Sequence, residues 1–132
     1  MTLLSDLVDA SERVGSTASR RSKIAEIAAL LRRLHPEEID IGVALLAGET
    51  LQRKTGIGYS LIDSARVAPA AVPSLDLSSV NDALDQIAGT GGRGSIAARA
   101  RLLKNLLSAA TEREQAFIVR LLLGELRQGA LD

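Results

Sequence analysis

Three glycines, Gly89, Gly91 and Gly94, satisfy the spacing G-x-G-x-x-G, in which bare backbone can approach a pyrophosphate. That chemistry needs a parallel strand before the loop, and the pattern before Gly89 is helical, so the dinucleotide reading fails on context. A loop that cradles phosphate in the P-loop manner needs Lys before its Ser, and here Gly94 stands before Ser95. His35 is the single histidine, sits beside Pro36 at a helix start and has no second ligand at helical spacing. A cap or surface role outweighs metal binding or general base work. There is no cysteine, hence neither a disulfide framework nor a thiolate zinc site. No catalytic or metal-ligating constellation emerges from the spacing.

Charge placement carries more. One amphipathic stretch opens with Ser19, Arg20, Arg21 and Lys23, and another with Arg93, Gly94 and Ser95, followed by Arg99 and Arg101. A helix start already bears about half a positive charge, so each cation there costs up to ~1 kcal/mol unless an anion is present. Two readings are open. In one, the side chains swing into water at little cost. In the other, the two Gly/Ser-rich helix starts form a pair of phosphate sites where free amides, hydroxyls and guanidinium groups converge. Such a pair suits a duplex, whose backbones are related by local dyads. Gly-rich loops at 54–58 (Lys54, Gly56, Gly58) and 124–129 (Gly124, Gly129) then add close backbone approach in a shallow groove.

The elements that must position these residues read as helices. Residues 19–34 place Ile24, Ile27, Ala28, Leu31 and Leu34 on one face and most of the arginines off it. Pro36-Glu37-Glu38 supplies a first-turn proline and two acids for the positive helix end. It opens the nearly all-apolar run Ile39 to Ala47, closed by Gly48 and predicted to be buried on most sides. A short helix is predicted at 59–68, and a linker around Pro69 and Pro73. Helices follow near 77–88, from Ser95 to Ala110, and from about Glu112 to Leu123, the last opened by the capping box Thr111-Glu112-Arg113-Glu114.

The two halves match. At a constant offset of 76, residues 3–52 and 79–128 share 13 identities, among them Gly15/Gly91, Ser19/Ser95, Glu38/Glu114, Gly48/Gly124 and Gln52/Gln128. The expectation is an all-α fold over residues 1–132, one domain built from two pseudo-twofold-related helical repeats. Repeat 1 covers about 3–68, a linker about 69–76, and repeat 2 about 77–132. Repeat 1 continues through Gly56-Ile57-Gly58 into a helix, whereas Asp132 stands just where the counterpart begins. Either repeat 2 lacks that element or the chain belongs to a longer protein.

Composition agrees with one folded domain. Of 132 residues, 46% are hydrophobic and 24% charged, and with aromatics at 2% the core must be Leu, Ile, Val and Ala. Sixteen Lys and Arg cancel sixteen Asp and Glu, so bulk charge gives no argument for nucleic-acid or membrane binding, although local patches remain. No apolar run approaches the ~18 residues of a membrane span. Asp6, Asp9 and Glu12 stand where a signal peptide needs a basic region. A cytoplasmic protein without membrane contact is expected.

Gly94-Ser95 opens a basic helix, Phe117-Ile118-Val119-Arg120 runs into Gly124-Glu125-Leu126-Arg127-Gln128-Gly129, and Gly56-Ile57-Gly58 precedes both. Through these residues the sequence, from about Leu3 to Asp132, resembles the N-terminal DNA-binding domain of ATP-dependent DNA ligases. The resemblance implies an all-helical domain with an internal pseudo-twofold, seated on the minor groove on either side of a nick. Ser19, Arg20, Lys54, Gly56, Gly58, Arg93, Gly94, Ser95, Gly124, Arg127 and Gly129 are then the expected DNA-binding positions. Glu125 departs from the pattern, standing where many relatives have Arg.

The same resemblance says what this chain lacks. Ligation needs a lysine that takes AMP from ATP in a Lys-x-Asp-Gly setting. Lys23, Lys54 and Lys104 are followed by Ile-Ala, Thr-Gly and Asn-Leu. No catalytic residue, metal site or cofactor is therefore expected within the chain. ATP and Mg are expected for the full-length enzyme, whose adenylation and OB-fold domains lie beyond Asp132. The chain itself is expected to bind nicked double-stranded DNA as a monomer, in replication, repair or recombination, without sealing it. The competing reading is a helical protein-interaction scaffold that turns its basic faces to acidic partners and binds no nucleic acid.

Overall fold

The computed structural model describes residues 1–126. Seven helices follow one another: α1 (Leu4–Gly15), α2 (Arg20–Arg33), α3 (Ile39–Leu46, entered through a 3-10 turn at Pro36–Glu38), α4 (Tyr59–Ser64), α5 (Leu77–Gly89), α6 (Ser95–Ser108) and α7 (Glu112–Leu122). Among the described residues no strand forms. A single antiparallel bridge between Leu3 and Asp76 sets the starts of α1 and α5 side by side. Leu4 N–H donates to the Leu75 carbonyl at 2.8 Å and Leu77 N–H to the Thr2 carbonyl at 3.0 Å. The fold is all-α, as expected.

Identities shared by the two halves mark helix ends. Glu38 and Glu114 are both nearly fully buried, at 2% and 1% exposure, and each closes a capping box. Glu114 Oε1 accepts from the Thr111 amide at 2.8 Å, while the Thr111 hydroxyl accepts from the Glu114 amide. Glu38 uses both oxygens: Oε1 accepts from His35 N–H at 3.0 Å and from the Thr2 hydroxyl at 2.9 Å, and Oε2 from Thr2 N–H at 2.9 Å. The single histidine thus occupies a helix cap. Gly48 and Gly124, at φ 79° and 71°, follow the C-caps of α3 and α7. The Gly48 and Glu49 amides return to Leu45 and Ala44, and those of Gly124 and Glu125 to Leu121 and Arg120. Both ends are Schellman caps, which need the left-handed conformation that glycine adopts without strain.

Helix α1 packs on α2 and α5 on α6, with α7 resting on α1 and α3 resting on α5. The core is almost wholly aliphatic, with Leu4, Leu7, Leu30, Leu77, Leu84, Ile87, Leu103 and Ile118 at 1% exposure or less. In the later helices, buried positions coincide at the offset of 76: Ile27/Leu103, Leu30/Leu106, Leu34/Ala110, Glu38/Glu114, Ile41/Phe117 and Leu45/Leu121. The first helices instead coincide at 73, pairing Leu4/Leu77, Leu7/Val80, Ser11/Leu84 and Val14/Ile87. The gap-free alignment therefore slips by three residues there: α5 is one residue longer than α1, the loop into α6 one residue longer than the loop into α2, and α6 begins one residue earlier than α2 at the offset of 76.

Three element-level expectations change. The buried stripe of α2 runs through Ile27, Leu30 and Leu34, while Ile24 is 56% exposed and Leu31 half-buried. Helix α3 buries Ile41, Gly42, Leu45 and Leu46, but Ile39 and Val43 on its outer side are exposed at 40% and 38%. The short helix after Gly58 ends at Ser64 rather than at 68.

Candidate nucleic-acid interface

The loop between α3 and α4 carries the most unusual backbone in the chain. Arg53 is left-handed at φ 60°, alone among the described non-glycine residues, in a tight turn closed by its own amide on the Thr50 carbonyl at 3.1 Å. Such a conformation costs an L-residue about 1–2 kcal/mol and persists only where surrounding structure imposes it. The restraints lie on either side. Gln52 Nε2 donates to Asn81 Oδ1 at 2.9 Å and to Asp85 Oδ1 at 2.5 Å, fastening the loop to α5. Arg99, on the second turn of α6, donates to the Thr55 carbonyl, and its guanidinium fills the place a Cβ at Gly56 would take.

This loop faces the second Schellman cap across an open cleft of about 570 Å³, lined by Gly48, Glu49, Thr50, Arg53, Thr55 and Gly124 together with Leu121 and Leu122. Tyr59, at the start of α4, donates its hydroxyl to Glu125 Oε1 at 3.0 Å, which ties the α7 cap to the far side of the loop. The hydrogen bond and the adjacent negative charge both hold the Tyr59 phenol above its ordinary pKa. A Cβ at Gly58, Gly92, Gly94 or Gly124 would meet no atom, so the backbone there lies open.

Cations divide by location. Arg13 pairs with Glu26 at 2.7 Å and Arg33 with Asp6 at 3.4 Å, both within the α1–α2 hairpin. Arg66 pairs with Asp63, and Arg113 with Asp9 and Glu12 at 2.8 and 2.5 Å. By contrast, among the described residues no carboxylate lies within ion-pair distance of Arg20, Arg21, Arg53, Lys54, Arg93 or Arg101, all exposed. Unpaired cations thus include those on the loop at 53–54 and at the starts of α2 and α6, and also Arg32 at the end of α2, Arg101 and Lys104 along α6 and Arg120 near the end of α7.

The expected binding positions fall into groups. Lys54, Gly56 and Gly58 belong to the loop beside α6; Arg93, Gly94 and Ser95 open α6; Gly124 lies across the cleft. Ser19 and Arg20 open α2, and no hydrogen bond or ion pair joins them to the loop among the described residues. The two serines differ in role. Ser19 is the N-cap of α2, its side chain accepting from Ser22 N–H, whereas Gly94 at φ 77° caps α6 and Ser95 is the first helical residue. Gly124 has a helix-cap reason for being glycine, and Gly56 a packing reason. Arg127 and Gly129 lie outside the described residues.

The DNA ligase N terminus family matches residues 62–132. The chain belongs to this family. Over 132 residues it is 48% identical to a probable DNA ligase of Saccharopolyspora erythraea, covering all of this chain and 26% of the relative. It is 49% identical over 129 residues to one of Mycolicibacterium gilvum and 45% identical over 129 residues to one of Nocardia farcinica, covering 98% of this chain and 25% of each relative. The chain thus spans about a quarter of the length of these relatives.

Within this ligase N-terminal domain, sequence reasoning passed over Arg53, Thr50 and Thr55. The signal for Arg53 was present as a basic pair, Arg53-Lys54, ahead of Thr55-Gly56. Its left-handed backbone had no such signal, because glycine is the residue that ordinarily marks it. Glu125, the departure from the ligase pattern, is the partner of Tyr59. Among the described residues no group of three or more His, Asp and Glu could hold a metal ion, and no helix is long and apolar enough to cross a membrane.

Proposed function

We propose that this domain binds nicked double-stranded DNA without sequence preference, across the minor groove, as the N-terminal part of an ATP-dependent DNA ligase acting in replication, repair or recombination. The observation that carries the reading is that Arg53 and Lys54 on the loop, Arg93 before α6 and Arg20 and Arg21 at the start of α2 are exposed without carboxylate partners among the described residues, while Arg13, Arg33, Arg66 and Arg113 are neutralised in place. Both α3 and α7 end at the cleft, and helix C-termini bear partial negative charge, so the cleft floor repels phosphate. Phosphates are assigned instead to Arg53 on the cleft wall, to Lys54 beside it, and to Arg93 and the first-turn amides of α6, which lack intrahelical carbonyls. Open glycine backbone at Gly58, Gly94 and Gly124 lets the sugar edge of the groove come close. Contacts of this kind position a duplex and carry no sequence code.

The AMP-transfer residues are assigned to the rest of the longer protein, since none of the three lysines has the Lys-x-Asp-Gly neighbours. Among the described residues no group of three or more His, Asp and Glu could hold Mg. Incubated with ATP and magnesium, the chain should show no AMP adduct by mass and seal no nick; an adduct would overturn this division of labour. Binding of labelled nicked duplex at low and moderate salt tests the DNA reading. Tight binding at low salt that weakens as salt rises supports it, and no binding at low salt returns the domain to the protein-scaffold reading.

A further inference from the structure

Among the described residues two outer faces correspond, and only one is covered. On α6 and α7, Leu107, Gln115 and Val119 share a depression with Ile62, Arg66 and Val67 from α4 and the stretch after it. Gln115 Nε2 donates to the Val67 carbonyl at 3.2 Å, and Ala70 N–H to the Ala110 carbonyl at 2.8 Å. Under this cover Leu107 is only 3% exposed.

At the offset of 76 the counterparts of Ala100, Leu107, Gln115 and Val119 are Ile24, Leu31, Ile39 and Val43. These four are the residues whose burial departs from the sequence expectation: Ile24 is 56% exposed, Ile39 40%, Val43 38%, and Leu31 only half-buried. Ile24 and Leu31 lie two turns apart on α2, Ile39 and Val43 one turn apart on α3, and α2 packs on α3. Single exposed apolar side chains are ordinary, but an aligned set whose counterparts are buried (Leu107) or half-buried (Ala100, Gln115, Val119) marks a docking face.

We propose that this strip receives a short amphipathic helix followed by an extended stretch, supplied in cis by polypeptide that follows the second repeat in the longer protein. The covered face names the occupant. What lies on α6 and α7 is the chain's own Tyr59–Ala70, reached from the Schellman cap at Gly48, and Gly124 closes α7 with the same cap geometry. The matched relatives are about four times as long as this chain, so they contain such polypeptide. Ile39 replaces the amide of Gln115, so the occupant is held there by apolar contact rather than by a hydrogen bond to its backbone. This inference does not rest on DNA binding.

The chain has no cysteine, so Ile39→Cys and Val43→Cys each provide one reporter thiol. The comparison is between the 132-residue chain and the same chain extended by the stretch, as long as residues 57–76, that follows the matched region in the Saccharopolyspora erythraea relative. Maleimide labelling at either position should slow about tenfold on extension. A Val72→Cys control, in the exposed linker, should label equally in both. The extension should also raise the thermal midpoint, and Val43→Asp should cancel that rise. Equal labelling at 39 and 43 in both proteins, or a rise untouched by Val43→Asp, overturns the proposal. So does labelling of the unextended chain that falls with protein concentration, which would make the strip a contact between copies.

Discussion

Arg53 and Arg113 carry the same charge in opposite settings. Arg113 is held by Asp9 and Glu12, while Arg53 is unpaired, left-handed and on the cleft wall. Arg53→Gly removes the backbone strain together with the cation. The variant should melt later, by up to about 1 kcal/mol in stability, yet bind nicked duplex more weakly. Arg113→Ala should do the reverse, losing no more than about 1 kcal/mol because its pairs are exposed, and leaving DNA affinity unchanged. Thermal melts and titrations on the same preparations check both; an Arg53→Gly variant that binds as the parent does removes Arg53 from the interface. Glu38 gives a pH prediction. Burial alone would raise its pKa, but the Thr2 and His35 amides and the Thr2 hydroxyl hold it below the ordinary value. A carboxylate depressed in the folded state stabilises above its unfolded pKa of about 4.3, and that contribution is lost as pH falls through the folded value. Glu38→Gln should cost about 1–3 kcal/mol at neutral pH and flatten the acid limb of the stability curve. Denaturant melts from neutral pH down to the acid range read this directly.

Among the elements, caps were the most legible feature. Thr111/Glu114 and Gly48/Gly124 are short-range patterns whose chemistry is complete within a few residues, and the structure realises each. The α2 face was less legible, because the apolar period of Ile24 and Leu31 signals that they want cover but not which element supplies it. The register of α1 against α5 was hidden by the matches Asp6/Asp82 and Asp9/Asp85, which favour the wrong offset; only burial shows that Leu4 corresponds to Leu77. The helix starts yield a further test. Ser19→Asp keeps a good N-cap on α2, and Ser95→Asp puts an acid in the first turn of α6, so each should fold with a gain of about 0.3–1 kcal/mol. Each also places negative charge where a phosphate is proposed to dock, so binding at low salt should fail. A variant that binds as tightly as the parent removes that helix start from the proposed phosphate sites.

For the whole molecule, a formal net charge of zero concealed the feature that the function reading rests on. Sequence counting treats all sixteen basic residues alike, whereas folding neutralises some against α1 and leaves others facing outward. Which arginine meets which acid is decided by tertiary contacts, such as α7 on α1, that no local pattern encodes. The central claim is that Arg53, Lys54 and Arg93, with the start of α6, bind phosphate. Its most direct test is the salt dependence of affinity for nicked duplex, measured for the parent, Arg93→Ala and Arg113→Ala. If about five phosphates are contacted, log affinity should fall against log salt with a slope of about −4 to −5, shallower by about one in Arg93→Ala and unchanged in Arg113→Ala. A flat response in the parent, or the same loss of slope in both variants, would contradict the account.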